Sequence, residues 1–197
     1  KSLTTAVRTL TSLPVPGKDT PVFADSLYWF PAVGLLVGGL LYLPAWALNT
    51  MFHDLWTQGP AILIVILSIT LTRGLHLDGL SDWADGFWGS NERERVLAIM
   101  KDSAIGTFGG VALAVCLMTK WILITRLLSI HHTHWLIIAC VISRSMQAIL
   151  AASFPYARLE GGTAGMFVNG AGKRHRIVVF LMSTAILIPP GLEQPSL

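Results

Sequence analysis

Apolar residues along this chain gather into long runs separated by short turns and by two long polar connections. Trp29 to Leu48 carries no charged residue. At about 1.5 Å per residue it reaches across a hydrocarbon core of roughly 30 Å, with Tyr28 and Trp29 at one interface. Leu55 to Leu71, Thr107 to Leu128 and Trp135 to Ala152 form three further runs, and Ile177 to Pro189 begins a fifth that stops short. Ahead of them Leu3, Ala6, Val7, Leu10 and Leu13 recur at three- and four-residue steps among Ser and Thr. That spacing predicts an amphipathic helix over 2–13, ended by Pro14 and Pro16 and lying on the membrane surface or against the helices. Residues 73–106 and 153–176 are the long connections, while His53-Asp54 and His131 to His134 fall in short turns.

Composition agrees with this layout. Hydrophobic residues make up 53% and charged residues 13%, and the mean hydropathy is +0.61. Soluble domains carry about 25% charge, so this chain could not cover a wetted surface and its apolar excess faces lipid. The reading is an all-α, polytopic integral membrane helical bundle with short amphipathic helices on the cytoplasmic side, forming one catalytic domain over 1–197. Cys116 and Cys140 lie inside apolar runs without ligand spacing and read as small core hydrophobes. The first apolar run comes too late and is too long for a signal peptide.

The formal charge is +3, but its cations are scattered among loops, which argues against a nucleic-acid partner. Eleven of the 14 Lys and Arg occupy the N-terminal arm (Lys1, Arg8, Lys18), the first connection (Arg73, Arg93, Arg95, Lys101) and the second (Arg158, Lys173, Arg174, Arg176). Positive charge marks cytoplasmic loops. The arm and both connections are therefore expected to face the cytoplasm.

Six of the eleven acidic residues lie between Asp78 and Asp102. Asp78, Asp82 and Asp85 are spaced four and then three apart, so on a helix they share a narrow arc. Three carboxylates at a membrane edge are costly without a partner. A hard divalent cation relieves their repulsion; oxygen ligands without accompanying His or Cys suit magnesium, manganese or calcium rather than zinc, and magnesium is favoured because it keeps positions for water and phosphate. His76 fits capping, hydrogen bonding or catalysis equally. Asn91 with Glu94 reads as a capping box opening a new helix. Asp102 opposes the dipole at that helix's end, which a nearby cation or hydrogen-bond donor would explain, and it joins the expected metal set. Arg144 and Lys120 within apolar runs should each face the interior or snorkel, and Arg144 is the better functional candidate. Arg158, between Tyr156-Ala157 and Leu159-Glu160, reads as a site residue. Lys173, Arg174 and Arg176 suit either phosphate or a topological or anionic-lipid anchor.

The string His76-Leu77-Asp78-Gly79-Leu80-Ser81-Asp82-Trp83-Ala84-Asp85-Gly86, followed by Ile99 to Ser103 and Ile105-Gly106-Thr107, resembles the cobalamin synthase family, also called adenosylcobinamide-GDP ribazoletransferase. The likeness extends to Leu13 to Pro16, to Trp29-Phe30-Pro31 with Gly34 to Gly39, to Ser143-Arg144 and to Tyr156 to Gly161, roughly half the chain in the family's order. It implies an enzyme that displaces GMP from adenosylcobinamide-GDP with α-ribazole or its 5′-phosphate, with Mg2+ as cofactor and the lipid bilayer as surroundings. Self-association is left open. Ala104 stands where the family usually has Arg or Lys, and a Gly- and Asp-containing motif expected near the C-terminus is absent, which suggests a truncated chain.

On that reading Asp78, Asp82, Asp85 and Asp102 hold magnesium against the diphosphate. Arg73, Lys101, Arg144 or Arg158 offset the remaining charge, and Asp85 accepts the proton of the attacking hydroxyl. Two rivals are weighed. A CDP-alcohol-type phosphotransferase would need an Asp-Gly-…-Ala-Arg pattern, whereas Asp82 precedes Trp83. A divalent-cation transporter would place acids at span midpoints, where this chain has Lys120 and Arg144.

Overall fold

A computed structural model describes residues 1–52, 56–158 and 161–191. The turn His53-Asp54, the start of the second run at Leu55, and Leu159-Glu160 lie outside the described residues. Among the described residues every regular element is helical, and the chain divides into two compact units, Lys1–Ala47 with His132–Leu197, and Leu48–His131.

In the first unit, α1 (Ser2–Leu10) ends one turn earlier than its apolar pattern, because Thr11 turns extended and its hydroxyl donates to the Val7 carbonyl at 2.7 Å. Thr5, Ala6, Val7 and Leu10 are buried, so α1 packs within the unit instead of lying free on a membrane surface. A network of polar contacts holds it. The Thr5 hydroxyl donates to Asp19 at 3.1 Å and accepts the Thr20 N–H at 2.9 Å, the Trp29 indole donates to Ser2 at 3.1 Å, and Arg8 pairs with Asp19 at 3.3 Å. A 3-10 segment, Phe23–Trp29, then leads into α2 (Phe30–Phe52).

The buried stripe of α2, Phe30, Val33, Val37, Leu41 and Ala45, advances by three or four residues as one helical face must. Along it, Gly34 and Gly38 bring the backbone of α2 onto α7 (Trp135–Ala151). A Cβ on Gly34 would stand 2.7 Å from the Cys140 carbonyl, and one on Gly38 would stand 2.6 Å from the Ile137 Cα. Small residues four apart permit this approach where lipid supplies no hydrophobic drive between helices. The short α8 (Gly165–Val168) and α9 (Lys173–Gly191) complete the unit. Since α9 starts at Lys173, the basic cluster expected in a loop sits on its first turn.

In the second unit, α3 (Gln58–Leu71) bends by 86° into α4 (Leu75–Gly89). Then come α5 (Arg93–Ile99) and α6 (Thr107–Ser129). The capping box expected at Asn91 and Glu94 is not formed: Glu92 occupies the cap, without a side-chain cap bond, and its N–H donates to the Ser90 hydroxyl at 3.1 Å. The Trp121 indole of α6 donates to the Gln58 carbonyl at 3.0 Å, tying α6 to the start of α3. Val111, Val115, Met118, Ile122 and Leu123 leave most of α6's apolar surface exposed, as a lipid-facing helix requires.

By length and composition, Phe23–Met51 and Thr107–Ser129 can cross a bilayer, and the bent pair α3–α4 adds a third if it counts as one span. The second expected span is thus a broken one. At 14 residues α3 is only about 21 Å long. The fourth is the shorter apolar helix α7. The fold is that of a helical membrane protein.

Candidate active site

The bend that delivers the acidic string is a chain-reversing helix stop. The Gly74 N–H reaches back to the Ile69 carbonyl at 3.0 Å and the Arg73 N–H to the Thr70 carbonyl at 3.3 Å, the paired bonds that satisfy the last carbonyls of a helix. This geometry demands left-handed backbone, supplied at Gly74 by φ 69° and at Arg73 by φ 52°. Glycine is the usual occupant of the second of these positions, and an L-residue there costs about 1–2 kcal/mol. Arg73 occupies it and points an exposed cation from the turn just ahead of α4.

On α4, Asp78 lies in the first turn and is exposed, where the helix N-terminus stabilises its charge. His76 and Asp82 are half-buried, and Asp85 is buried. The Asp85 carboxylate is turned onto α6: Oδ2 accepts the Gly106 N–H at 2.8 Å and Oδ1 accepts the Gly109 N–H at 2.8 Å. Asp102, on the turn after α5, is exposed, and its Oδ1 accepts the Ala104 N–H at 3.0 Å. The donor that explains its unfavourable place at a helix end is therefore a backbone amide. Lys101 beside it is exposed.

The expected four-carboxylate metal cage is not assembled. Among the described residues no three His, Cys, Asp or Glu side chains come together as an ion would need. The reason is that Asp85 spends both oxygens on amides and Asp102 folds onto its own turn. The residues of α4 that could hold a hard cation are then Asp78 and Asp82, one helical turn apart. Two carboxylates suffice for magnesium when phosphate oxygens and water complete its shell.

The remaining candidates lie in the other unit. Arg144 is 9% exposed. Its Nη1 donates to the Ser143 hydroxyl at 2.8 Å, while its Nε is buried without a hydrogen-bond partner. A buried guanidinium that, among the described residues, donates to a neutral hydroxyl and keeps an unbonded Nε is suited to an arriving anion. Arg158 is half-buried. In the second connection, Gly161 takes φ 82° and Gly162 and Gly165 back onto the Tyr156 ring. A cavity of about 400 Å³ there is lined by neutral residues including Ser153, Tyr156 and Asn169. The basic residues of that connection do not line it.

Two features escape a reading of the sequence. Gly106 and Gly109 are the donors that hold Asp85, and only a three-residue Gly spacing at a helix start hints at it. His175, in the first turn of α9, is buried and stacks on Tyr28 at 4.4 Å. Its Nδ1 accepts the Gly172 N–H at 3.2 Å, which leaves the proton on Nε2, 3.9 Å from Asp25. Burial, more than the neighbouring Arg174, holds this imidazole below its usual pKa, and Asp25 opposes the shift.

Helices apolar on their outer faces, an acidic helix bonded to the start of a spanning one, and a cation held on strained backbone define a membrane protein with a polar site at the edge of its apolar segments. Comparison with known proteins makes this specific. The chain belongs to the cobalamin-5-phosphate synthase family, whose model matches residues 2–194. It is similar to the adenosylcobinamide-GDP ribazoletransferase of Chlorobium chlorochromatii (strain CaD3), at 46% identity over 95% of this chain and 73% of that protein. It is also similar to those of Chlorobium phaeovibrioides (strain DSM 265 / 1930), at 44% over 99% and 77%, and Chlorobaculum tepidum, at 45% over 94% and 72%. No solved structure matches the chain.

Proposed function

We propose that this protein is a magnesium-dependent transferase that joins adenosylcobinamide-GDP to α-ribazole, or to its 5′-phosphate, with release of GMP. The observation that carries the reading is the extent of the likeness: relatives that bear this activity in their name match nearly the whole chain. The polar site adds chemical support. Displacing a nucleoside monophosphate from a diphosphate requires neutralisation of the phosphoryl oxygens and stabilisation of the leaving phosphate.

Magnesium, when bound, would polarise the diphosphate and offset its charge, with Asp78 and Asp82 as the residues to hold it. Arg73 and Lys101 supply cations in the same unit. Arg144, whose buried Nε lacks a partner, suits an anionic group of either substrate, and Arg158 adds a further cation. An aspartate of α4 takes the proton of the attacking hydroxyl, with His76 as the other titratable group of that helix. The excess of Lys and Arg in the polar connections supports an inner-membrane protein whose site opens to the cytoplasm.

The test is GMP release from adenosylcobinamide-GDP by the purified chain, with and without α-ribazole and magnesium. Release should require both. Asp82→Asn should abolish it while the protein stays folded in detergent, since Asn keeps the volume and removes the charge. Near-normal turnover by that variant would refute the assignment of Asp82.

A further inference from the structure

We propose that Asp85 is a positioning residue: it clamps α4 to the start of α6 and thereby sets the carriers of the polar site, α4 with Asp78 and Asp82 and the turn with Lys101 and Asp102, against one another. The inference rests on the transferase reading for its activity readout.

The first amides of a helix have no partner within the helix, and a side chain at the N-cap normally takes one of them. The cap of α6 is Gly106, which has no side chain, and the first turn of α6 contains no acidic residue. Asp85 supplies the missing acceptor from another helix, 21 residues earlier in the chain, with one oxygen for Gly106 and the other for Gly109. Hydrogen bonds from backbone amides to a carboxylate are charge-assisted, and the helix dipole adds to them.

The fit depends on glycine at both amides. A Cβ on Gly106 or on Gly109 would collide with the Asp85 carboxylate, and one on Gly109 would also strike the Ser81 hydroxyl. The next residue completes the frame. A Cβ on Gly86 would meet the Met100 Cγ at 2.7 Å and the Val96 carbonyl at 3.2 Å, so α5 lies directly on α4 at that point. Successive residues of α4 thus hold both ends of the passage from α5 to α6, and Lys101 and Asp102 lie on the turn between them. With both oxygens engaged by amides, Asp85 acts through Asp78, Asp82 and that turn and not on the reacting atoms.

The experiment compares Asp85→Asn, Gly109→Ala and their double variant with the unaltered full chain in detergent. It measures GMP release against magnesium, adenosylcobinamide-GDP and pH. Asn replaces one acceptor oxygen with an amide donor and breaks half the clamp. Per folded molecule, kcat should fall by about tenfold to a hundredfold, the consequence of misplacing reacting groups. The magnesium half-saturation should stay within about twofold, and the shape of the pH profile should not change. Gly109→Ala, which removes no charge and no ligand, should reproduce the loss, and the double variant should lose little more.

A shift of about tenfold or more in magnesium half-saturation for Asp85→Asn, or disappearance of one limb of its pH profile, would instead make Asp85 a ligand or a base and overturn the proposal. Reduced thermal stability with unchanged kcat would reduce the clamp to a fold-stabilising contact and overturn it equally. Should Asp85→Asn fail to fold, Gly106→Ala, which disturbs one bond of the pair, carries the same kinetic comparison. An unaltered chain without GMP release would sink the transferase reading alone. Amide exchange at Gly106 and Gly109, slow in the unaltered chain and fast in Asp85→Asn, would then still report on the clamp, and equal exchange in the two would overturn it.

Discussion

Arg73 and Asp85 illustrate how much of this protein's chemistry depends on backbone groups. Arg73 stands at φ 52° where a helix stop calls for glycine, and its side chain is exposed, so little packing repays that strain. Strain retained at such a position points to a use for the side chain. Arg73→Gly should leave stability unchanged or raise it by up to about 1 kcal/mol, because relief of the left-handed backbone is offset by the entropy of glycine in the unfolded chain. It should lower GMP release by about tenfold, in line with loss of a charge-assisted phosphate contact. Thermal denaturation in detergent alongside initial rates checks both. Retained activity would leave the guanidinium without a part in the reaction. The spacing of Asp78, Asp82 and Asp85 is legible as one helical arc, and the helix is there. Which carboxylate turns to solvent and which to a neighbouring helix is not, because Asp85 finds its donors 21 and 24 residues away.

At the scale of elements, the contact of α2 with α7 is where small residues decide the outcome. Gly34→Ala and Gly38→Ala would each drive a Cβ into the backbone of α7, and should destabilise the protein by about 1–3 kcal/mol, as overpacking does. Gly39 is the control. A Cβ there meets nothing within 4 Å, so Gly39→Ala should be neutral or stabilising by up to about 1 kcal/mol from helix propensity. Retention of folded protein after graded heating in detergent ranks the three. The ends of the apolar runs are legible to within a turn for α6 and α7 and for the start of α2, whose end lies four residues past Leu48. The end of α1 and the cap of α5 are not legible. Each is settled by a hydrogen bond of Thr11 or Ser90 that competes on nearly equal terms with the pattern of side chains.

For the whole molecule, the distribution of Lys and Arg predicts sidedness. With Cys116 and Cys140 replaced by Ser, single cysteines at Asn91 and Lys173, both exposed, should react with a membrane-impermeant maleimide in inverted inner-membrane vesicles and stay unlabelled in intact cells. A cysteine at His132, in an opposite turn, should behave in reverse. Labelling of Asn91→Cys from the outside would overturn the cytoplasmic assignment of the first connection.

What the sequence by itself determined is the medium and the chemistry on offer: long apolar runs admit only helices in lipid, and carboxylates rare elsewhere in the chain gather on one helical face. The tertiary structure alone decided which of those carboxylates a neighbouring helix engages. A carboxylate satisfied by backbone amides and one that is not are the same residue in a sequence. The difference lies in whether a glycine-bare helix start is folded within 2.8 Å of it.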